Sequence, residues 1–448
     1  MKSIDQKIFK SYDIRGTYPN QLSQEAAYQV GRAFALRSKA TQVTIGSDMR
    51  LSGPAIKKKL IEGILDQGVD VLDIGLVPVD AVYYAVGILK HEAGIMITAS
   101  HNPSEYNGFK MVLKDMQWVR GEEMRDHVLN LPKAKAKTKG KIIESDILPQ
   151  YIKHVLSFCD LKKIKPLKVV VDAGNGMAGK IIPLLKPYLP IEIIPLNFEL
   201  DGSFPAHPSN PLLPESQVQI TKSVLEQKVD FGVIFDGDTD RLNFIDETGK
   251  FIRADITLLL LAKEFLRREP GKGIAYNLSC SKIVPEKIKE WGGKPIRTRV
   301  GFVFVSAGLR QNDGIVGGEV SAHYCFRDNA YSDSGFIPFL ILLQLLSQDG
   351  RPLSEIIEPF YKYFKSPEEN LVLEDRSKIQ SIIEKLKKQY QAGNQDELDG
   401  LTVQYPNWWF NVRPSNTEPL LRITVETESE QMTADRLQEL VNFVKQIK

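Results

Sequence analysis

The chain has 448 residues, of which 42% are hydrophobic and 25% charged, with a formal net charge of +2. At roughly 100–200 residues per domain, this length excludes one compact domain and suggests three or four. The weak net charge gives no reason to expect binding to nucleic acid or to an anionic membrane. The three cysteines (Cys159, Cys280 and Cys325) fit neither a disulfide framework nor a zinc site.

Neither a leader nor a membrane span is expected. The first residues lack the apolar segment of a signal peptide, and the longest apolar runs, 256–262 and 336–346, are too short to cross a bilayer. We therefore expect a soluble, multidomain protein of the reducing cytoplasm, in which both runs form buried helices.

The N-terminal part of the chain alternates between strand and helix signals. Residues 42–46 predict a strand, 53–67 an amphipathic helix ended by Gly68, and 69–74 a second strand. Such a βαβ unit implies a parallel sheet. The polar, lysine-rich residues 132–141 are typical of a linker.

The sequence Thr-Ala-Ser-His-Asn-Pro at 98–103 follows an apolar strand signal at 94–97. Asn102-Pro103 makes the chain turn, which would leave Ser100 on an exposed turn at a strand end, where ligands bind in open α/β sheets. Taken alone, the segment is equally well explained as a polar Asn-Pro turn.

Two charged segments flank this turn in sequence. Residues 9–16 include Tyr12 and Arg15 and end at a glycine. Residues 106–110 predict an Asn-Gly turn and place Lys110 ten residues beyond the serine.

A second α/β stretch opens with a strand signal at 168–172 and the glycine-rich residues 173–179. The G-x-G-x-x-G spacing suggests a dinucleotide site, but the acidic residue expected about 20 positions later does not follow a second strand. A tight strand-to-helix turn explains the glycines better. The proline-rich residues 201–211 predict an ordered loop.

Three aspartates, Asp236, Asp238 and Asp240, alternate after a strand signal and can converge on one hard cation. An EF-hand loop is the alternative, since Glu247 falls at its twelfth position. Arg241 occupies the place of the required glycine, and both flanks predict strands, so a Mg²⁺ site fits better. Three solvated aspartates would repel one another without a cation.

Polar residues also alternate at Glu319, Ser321 and His323, which would point the same way in an extended segment. An acceptor, a hydroxyl and an imidazole suit a polyhydroxylated ligand such as a sugar. A half-exposed strand face explains them as well.

The loop Arg413-Pro-Ser415-Asn416-Thr417 has the groups of an anion site: a guanidinium, two hydroxyls and an amide. An ordinary serine/threonine turn with a solvated arginine is the alternative. A hydroxyl nucleophile, a Mg²⁺ loop, a sugar-binding face and a phosphate-binding loop are together the set that phosphoryl transfer needs.

These segments, in this order, resemble the α-D-phosphohexomutases over essentially the whole chain. The segments are 12–16, 98–103, 106–110, 236–241, 317–323 and 413–417. Within that family, residues 318–328 and 411–419 look most like those of bacterial phosphomannomutases. The resemblance implies three related α/β domains (1–143, 144–249 and 250–366) and a smaller α+β C-terminal domain (367–448) around a central cleft.

The resemblance also implies roles for individual residues. Ser100 would carry phosphate, and Asp236, Asp238 and Asp240 would bind Mg²⁺ together with a phosphoserine oxygen. Glu319 and Ser321 would hold sugar hydroxyls. The distal phosphate would be held by Arg413, Ser415, Asn416 and Thr417. The transferring phosphoryl group would be surrounded by Arg15, His101, Lys110 and Arg241.

Three further expectations come from the family. Tyr12 would contact the hexose phosphate, Lys110 or His323 would transfer the proton, and a hexose 1,6-bisphosphate would activate the enzyme. The sequence leaves the oligomeric state open.

One departure bears on substrate choice. Many phosphomannomutases have a Gly-His pair where this chain has Gly301-Phe302, and phenylalanine cannot hydrogen-bond a sugar or a phosphate. Ala322 in place of glycine is a smaller change. A phosphoglucomutase, a dual enzyme or a phosphoglucosamine mutase is therefore the alternative within the family, and a non-catalytic sugar-phosphate sensor is the alternative outside enzymes.

Overall fold

The computed structural model describes residues 4–373, 376–415 and 420–447. Four consecutive parts of the chain each build a β-sheet, and we name them units I (14–144), II (148–252), III (254–357) and IV (364–447). None of the described helices has both the length and the hydropathy to cross a membrane.

Unit I contains a mixed sheet in the order β1-β5-β4-β2-β3-β7, with β6 paired to β5. Its strands are β1 (Ile14–Thr17), β2 (Gln42–Ser47), β3 (Asp70–Leu76), β4 (Ala93–Ile97), β5 (Tyr106–Leu113), β6 (Gln117–Val119) and β7 (Ile142–Glu144). Its helices are α1 (Gln24–Ser38), α2 (Gly53–Leu65), α3 (Val79–Gly87) and α4 (Gly121–Leu129). The predicted βαβ unit is confirmed, because β2 and β3 are parallel and α2 connects them.

The predicted turn at Asn107-Gly108 is wrong, since both residues lie inside β5. The Asn107 side chain is used elsewhere, because it donates to Ser52 Oγ at 2.9 Å. Gly108 allows β1 to approach closely: a Cβ there would lie 2.1 Å from the carbonyl oxygen of Ile14. A glycine after asparagine therefore serves sheet packing here and not a reversal.

Unit II is a five-stranded sheet in the order β12-β11-β10-β8-β9. Its strands are β8 (Lys168–Asp172), β9 (Glu192–Leu196), β10 (Phe231–Phe235), β11 (Leu242–Asp246) and β12 (Phe251–Ile252), and its helices are α5 (Leu148–Leu156), α6 (Ala178–Leu185) and α7 (Pro214–Gln227). The glycine-rich residues form the tight turn that we favoured, with Gly174 and Asn175 at positive φ before α6.

Unit III is a five-stranded sheet in the order β14-β13-β15-β16-β17. Its strands are β13 (Gly273–Asn277), β14 (Lys294–Thr298), β15 (Gly314–Gly318), β16 (Tyr324–Phe326) and β17 (Ser332–Asp333). Its helices are α8 (Ala254–Arg268), α9 (Ile283–Glu290), α10 (Phe302–Gln311), α11 (Phe336–Asp349) and α12 (Leu353–Ile357). Both long apolar runs lie in helices, α8 and α11, as predicted.

Unit IV has an antiparallel sheet in the order β18-β23-β22-β21-β20, with β19 also paired to β23. Its elements are β18 (Phe364–Lys365), β19 (Glu369–Val372), α13 (Ile379–Gln389), β20 (Asn394–Asp396), β21 (Leu401–Gln404), β22 (Trp408–Pro414), β23 (Leu420–Thr427) and α14 (Glu430–Ile447). Residues 405–407 link β21 to β22, which begins at Trp408.

One continuous hydrophobic core joins units I, II and III, whereas unit IV has its own. The buried helices α8 and α11 lie in the shared core, and Phe336 of α11 packs against Phe235 of β10 with ring centroids 5.2 Å apart. Ser100 follows β4, Asp236 follows β10 and Glu319 follows β15. The shared core thus holds three strand ends, one from each unit, in fixed relation.

Replacing Gly108 with alanine should lower the free energy of unfolding by about 1–3 kcal/mol, since the added methyl group would clash with the β1 backbone. Gly53→Ala is the matched control, because a Cβ there would meet only the Asp48 carbonyl oxygen, at 3.8 Å. Urea unfolding of both variants measures the difference. Equal stability of the two would show that β5 does not need a glycine at this position.

Candidate active site

Ser100 lies in a tight loop after β4. Its backbone adopts a φ of 51°, and its amide donates to Thr98 Oγ1 at 2.9 Å. The hydroxyl donates to Asp236 Oδ2 at 2.8 Å, and His101 Nδ1 lies 3.3 Å from the same hydroxyl. The expected exposed turn is wrong, because Ser100 is only 2% exposed: the turn after β10 in unit II packs over it.

Asp236, Asp238 and Asp240 are buried in the turn between β10 and β11. One carboxylate oxygen from each lies within 4.8 Å of the others, so the three could hold a metal ion. Lys110 of β5 donates to Asp238 Oδ2 at 2.7 Å and also to Asp240 Oδ2. The flanking elements are antiparallel strands and not helices, which excludes the EF-hand alternative.

This donor set fits a hard divalent cation. Asp238 Oδ1 is buried and has no hydrogen-bond partner within the described part of the chain. Burial and the charges of Asp240 and Asp238 raise the pKa of Asp236 well above its ordinary value. Burial opposes ionisation of Asp240 too, but Lys110 and His323 bring its pKa well below the ordinary value. A cation would reduce the repulsion among the three carboxylates and would give Asp238 Oδ1 a partner.

Cationic and neutral groups surround the serine. Arg15 of β1 donates to Asn102 Oδ1 at 2.6 Å and forms an ion pair with Asp13. Burial and the positive charges of Arg241 and Arg15 hold the pKa of His101 well below its usual value, so its imidazole is neutral at pH 7. The Ser100 loop therefore offers a hydroxyl and a neutral imidazole, and the Arg15 guanidinium of β1 binds to the same loop.

Residues 319–323 form a turn between β15 and β16. The prediction that an extended backbone makes the three side chains point the same way is therefore wrong. The Ala322 backbone has a φ of 69°, and its amide donates to the Glu319 carbonyl. The turn nevertheless brings the three side chains together. Ser321 Oγ donates to Glu319 Oε2 at 3.2 Å and lies 2.9 Å from His323 Nδ1.

His323 connects this turn to the aspartates. Its Nε2 lies 3.4 Å from Asp240 Oδ1 and 3.3 Å from Arg241 Nε. Burial and Arg241 oppose protonation, but the Asp240 carboxylate dominates among the charges and raises the pKa of His323 to about 9. The Phe302 ring stacks on the imidazole, with centroids 5.6 Å apart.

A second set of contacts joins Tyr12 to units III and IV beside Glu319. Tyr12 donates its hydroxyl to the Val300 carbonyl at 3.0 Å, and the Val300 amide donates to Asp399 Oδ2 at 3.1 Å. The next amide, of Gly301, donates to Glu319 Oε1 at 2.6 Å. Tyr12 therefore lies near the turn that carries Glu319.

The predicted anion-binding loop is only partly described. Arg413 is the penultimate residue of β22 and donates to Glu368 Oε2 at 2.8 Å. Arg422 donates to the other oxygen of that carboxylate at 3.0 Å. Ser415 is buried, and its amide donates to the Leu420 carbonyl. Asn416 and Thr417 lie outside the described residues.

The structure thus brings most of the predicted site residues into one network through direct contacts. That network contains Ser100, His101, Lys110, Asp236, Asp238, Asp240, Arg241, Glu319, Ser321 and His323. Arg15 adjoins it through a hydrogen bond to Asn102 Oδ1. Arg413 has its described contact with Glu368 instead.

Sequence reasoning missed several groups in this network. Thr98 donates to Asp238 Oδ2 at 3.0 Å, and its position in the Ser100 motif was the available signal. Asp333 is fully buried in β17, and neither of its carboxylate oxygens has a hydrogen-bond partner in the described ranges. Burial together with the charge of Asp240 raises its pKa to about 7. Nothing in the local sequence around Asp333 indicated proximity to Asp240.

Comparison with known proteins accounts for all four units. Models of the phosphoglucomutase/phosphomannomutase family match in order: α/β/α domain I at 6–128, domain II at 149–249, domain III at 253–364 and the C-terminal domain at 368–442. The chain belongs to the phosphoglucomutase/phosphomannomutase family. The resemblance drawn from the motifs and the expected fold class are both confirmed.

Relatives within this family match over nearly the full chain. A protein of Xanthomonas campestris named as phosphohexose mutases is 37% identical over 98% of this chain and 99% of its own length. The phosphomannomutase/phosphoglucomutase of Pseudomonas aeruginosa is also 37% identical, over 96% and 93%. The crystal structure of a family protein from Burkholderia thailandensis has a TM-score of 0.90 at 31% identity, covering 99% of this chain and 98% of that one.

Asp238→Asn should weaken the stabilisation that Mg²⁺ gives, because a ligand that binds only the folded state stabilises by mass action. We expect millimolar Mg²⁺ to raise the melting temperature of the unmodified protein and to raise that of the variant much less. The control is Asp172→Asn, a buried aspartate that ends β8 in the same unit and accepts from Gly174 N and Asn197 Nδ2. The same Mg²⁺-induced shift in Asp238→Asn and in the unmodified protein would contradict the metal site.

Proposed function

We propose that this family member is a Mg²⁺-dependent phosphomannomutase that interconverts mannose 6-phosphate and mannose 1-phosphate, with hexose 1,6-bisphosphate as intermediate and activator. The observation that carries the proposal is the Ser100 hydroxyl. It bonds to Asp236 and lies beside His101, close to the ammonium and guanidinium groups that a phosphoryl group requires. The proposal includes the four domains 1–143, 144–249, 250–366 and 367–448. It also includes a location in the cytoplasm, which the three free cysteine thiols support.

Asp236, Asp238 and Asp240 would hold the cation, with an oxygen of phosphorylated Ser100 as a further ligand. When bound, Mg²⁺ supplies positive charge that lowers the energy of the transferring phosphoryl group. The chain's own contribution at this point is to keep three carboxylates together, with Thr98 and Lys110 bonded to Asp238.

In the transfer step a substrate hydroxyl oxygen forms a bond to phosphorus as the bond from phosphorus to Ser100 Oγ breaks. Arg15, Lys110 and Arg241 neutralise the oxygens of the group in transit. Each cation is already paired with a carboxylate, namely Asp13 for Arg15 and Asp240 for both Lys110 and Arg241, so little reorganisation is needed.

Two imidazoles divide the proton transfers. In the return step Ser100 Oγ attacks, and neutral His101, 3.3 Å away, can accept its proton. In the same step the sugar oxygen that leaves takes a proton from a second group. In the first transfer, which runs in the reverse sense, that group accepts the proton of the substrate hydroxyl while Ser100 Oγ regains a proton from His101. Between the two residues left open by the sequence, His323 releases its proton more readily, because Asp238 and Asp240 raise the pKa of the buried Lys110 above its ordinary range.

Both phosphates of the intermediate must use Ser100 in turn, so the sugar has to reorient between the two transfers. Glu319 and Ser321 bond to each other and can exchange that bond for sugar hydroxyls. Arg413, Ser415, Asn416 and Thr417 would bind the distal phosphate. Glu368, a carboxylate held by Arg413 and Arg422, shows that both guanidiniums can meet one anionic group.

Incubation with a hexose 1,6-bisphosphate should add one phosphate to the protein, because the bisphosphate can donate to Ser100. Intact-mass spectrometry should detect the heavier species in the protein with the natural sequence and not in Ser100→Ala. Ser209→Ala is the control: this neighbouring buried serine contributes only a long bond, 3.4 Å, to the Ser100 carbonyl. If the protein with the natural sequence gains no phosphate from the bisphosphate, the mutase mechanism is excluded.

Phe302 supports activity on glucose phosphates as well as mannose phosphates. Its ring packs between His323 and Trp118, with centroids 5.6 and 5.0 Å away, and carries no hydrogen-bonding atom. A hydrogen bond to one sugar hydroxyl contributes only a few kcal/mol to discrimination between substrates. Losing that hydrogen bond therefore reduces the difference in kcat/KM between two sugars that differ only at C2.

A coupled assay should therefore show that the unmodified enzyme uses mannose 1-phosphate and glucose 1-phosphate with kcat/KM values within about 100-fold. Phe302→His adds a donor and should increase the preference for mannose, while Phe302→Leu removes the ring and adds none. An identical ratio of the two kcat/KM values in all three proteins would show that position 302 does not contact the sugar.

A further inference from the structure

Arg50 is a fully buried arginine behind the Ser100 loop. Its guanidinium donates four hydrogen bonds to backbone carbonyls of that loop. Nη2 bonds to the carbonyls of Ser100 at 2.7 Å and Asn102 at 2.6 Å, and Nη1 bonds to those of Pro103 at 2.7 Å and Tyr106 at 2.9 Å. One side chain thus holds the loop from the serine to the start of β5.

The guanidinium is itself fixed on two sides. Asp48 lies 3.4 Å from Nε and accepts a bond from the Arg50 amide at 3.0 Å. On the other side the Phe204 ring of unit II lies under the guanidinium, 5.1 Å from its centroid. Gly202 allows this approach, because a Cβ there would lie 2.6 Å from the Arg50 Cα.

These contacts matter because the loop conformation is unfavourable by itself. Ser100 has a positive φ, which costs free energy for a residue other than glycine unless the surroundings hold it. A planar guanidinium presents its donors in a rigid fork, and lysine cannot serve four carbonyls in this geometry.

We infer that Arg50 is a positioning residue for phosphoryl transfer, which fixes Ser100 Oγ against Asp236 by holding the backbone of the Ser100 loop. The inference rests on the proposed mutase function. Arg50 bonds to the Ser100 carbonyl and makes no hydrogen bond to its hydroxyl, so it acts through the backbone. The loop of residues 201–211 takes part through Phe204, which makes the serine position depend on the docking of unit II.

A residue in this position should affect the chemical step more than substrate binding. Displacement of a reacting atom by about 1 Å can reduce the rate about 100-fold. The proposed sugar and phosphate contacts, Glu319, Ser321 and Arg413, lie in units III and IV and do not touch Arg50. We therefore expect Arg50→Lys to lower kcat at least about tenfold with a KM close to the unmodified value.

The matched control is Arg32→Lys. Arg32 is also buried in unit I and donates to two backbone carbonyls, of Pro132 and Ala134, both at 2.7 Å, but it holds a segment remote from Ser100. The experiment measures kcat and KM for mannose 1-phosphate, and the rate of Ser100 phosphorylation by the bisphosphate. All three quantities are measured below the melting temperature of each variant, and folding is checked by circular dichroism.

The inference predicts slow phosphorylation and low kcat in Arg50→Lys, and values near those of the unmodified enzyme in Arg32→Lys. A normal kcat in Arg50→Lys, or equal losses in both variants, would overturn it. If Arg50→Lys does not fold, Phe204→Leu decides: kcat should fall about threefold or more, and an unchanged kcat overturns the inference. Absence of mutase activity in the unmodified protein would instead refute the proposed function.

Discussion

The site depends on the ion pairs that the Lys110 ammonium forms with Asp238 and Asp240. The side chains of all three are almost fully buried, and removing a charge from water costs several kcal/mol per ion unless an opposite charge compensates it. The lysine belongs to unit I and the aspartates to unit II. The charge of Lys110 is therefore balanced by these carboxylates only when the two units are docked, and the docking places Ser100 Oγ on Asp236.

The same balance explains how groups from three units can act on one phosphoryl group. Each functional turn follows a buried strand, and the common core fixes the strand ends relative to one another. His323 extends the network into unit III through Asp240 and Arg241. Unit IV has a separate core and meets unit III through hydrogen bonds and ion pairs, for example between Arg297 and Asp396.

Local patterns in the sequence predicted the strand before Ser100 and the convergence of the three alternating aspartates, because strand periodicity and charge spacing are properties of short segments. They failed where a distant partner decides the outcome. Asn107-Gly108 has the composition of a turn, yet the close approach of Ile14 makes it part of a strand. The pairing of Arg413 with Glu368 joins residues 45 positions apart, and no local pattern shows it.

The most direct test of the account follows the phosphate itself. Protein carrying radioactive phosphate on Ser100 is mixed with excess unlabelled mannose 1-phosphate, and the products are separated after a single turnover. The account predicts that the label leaves the protein and appears at the 6-position of the sugar, in mannose 6-phosphate or the bisphosphate. Label that stays on Ser100, or leaves only as inorganic phosphate while mannose 6-phosphate forms unlabelled, would contradict transfer through the serine.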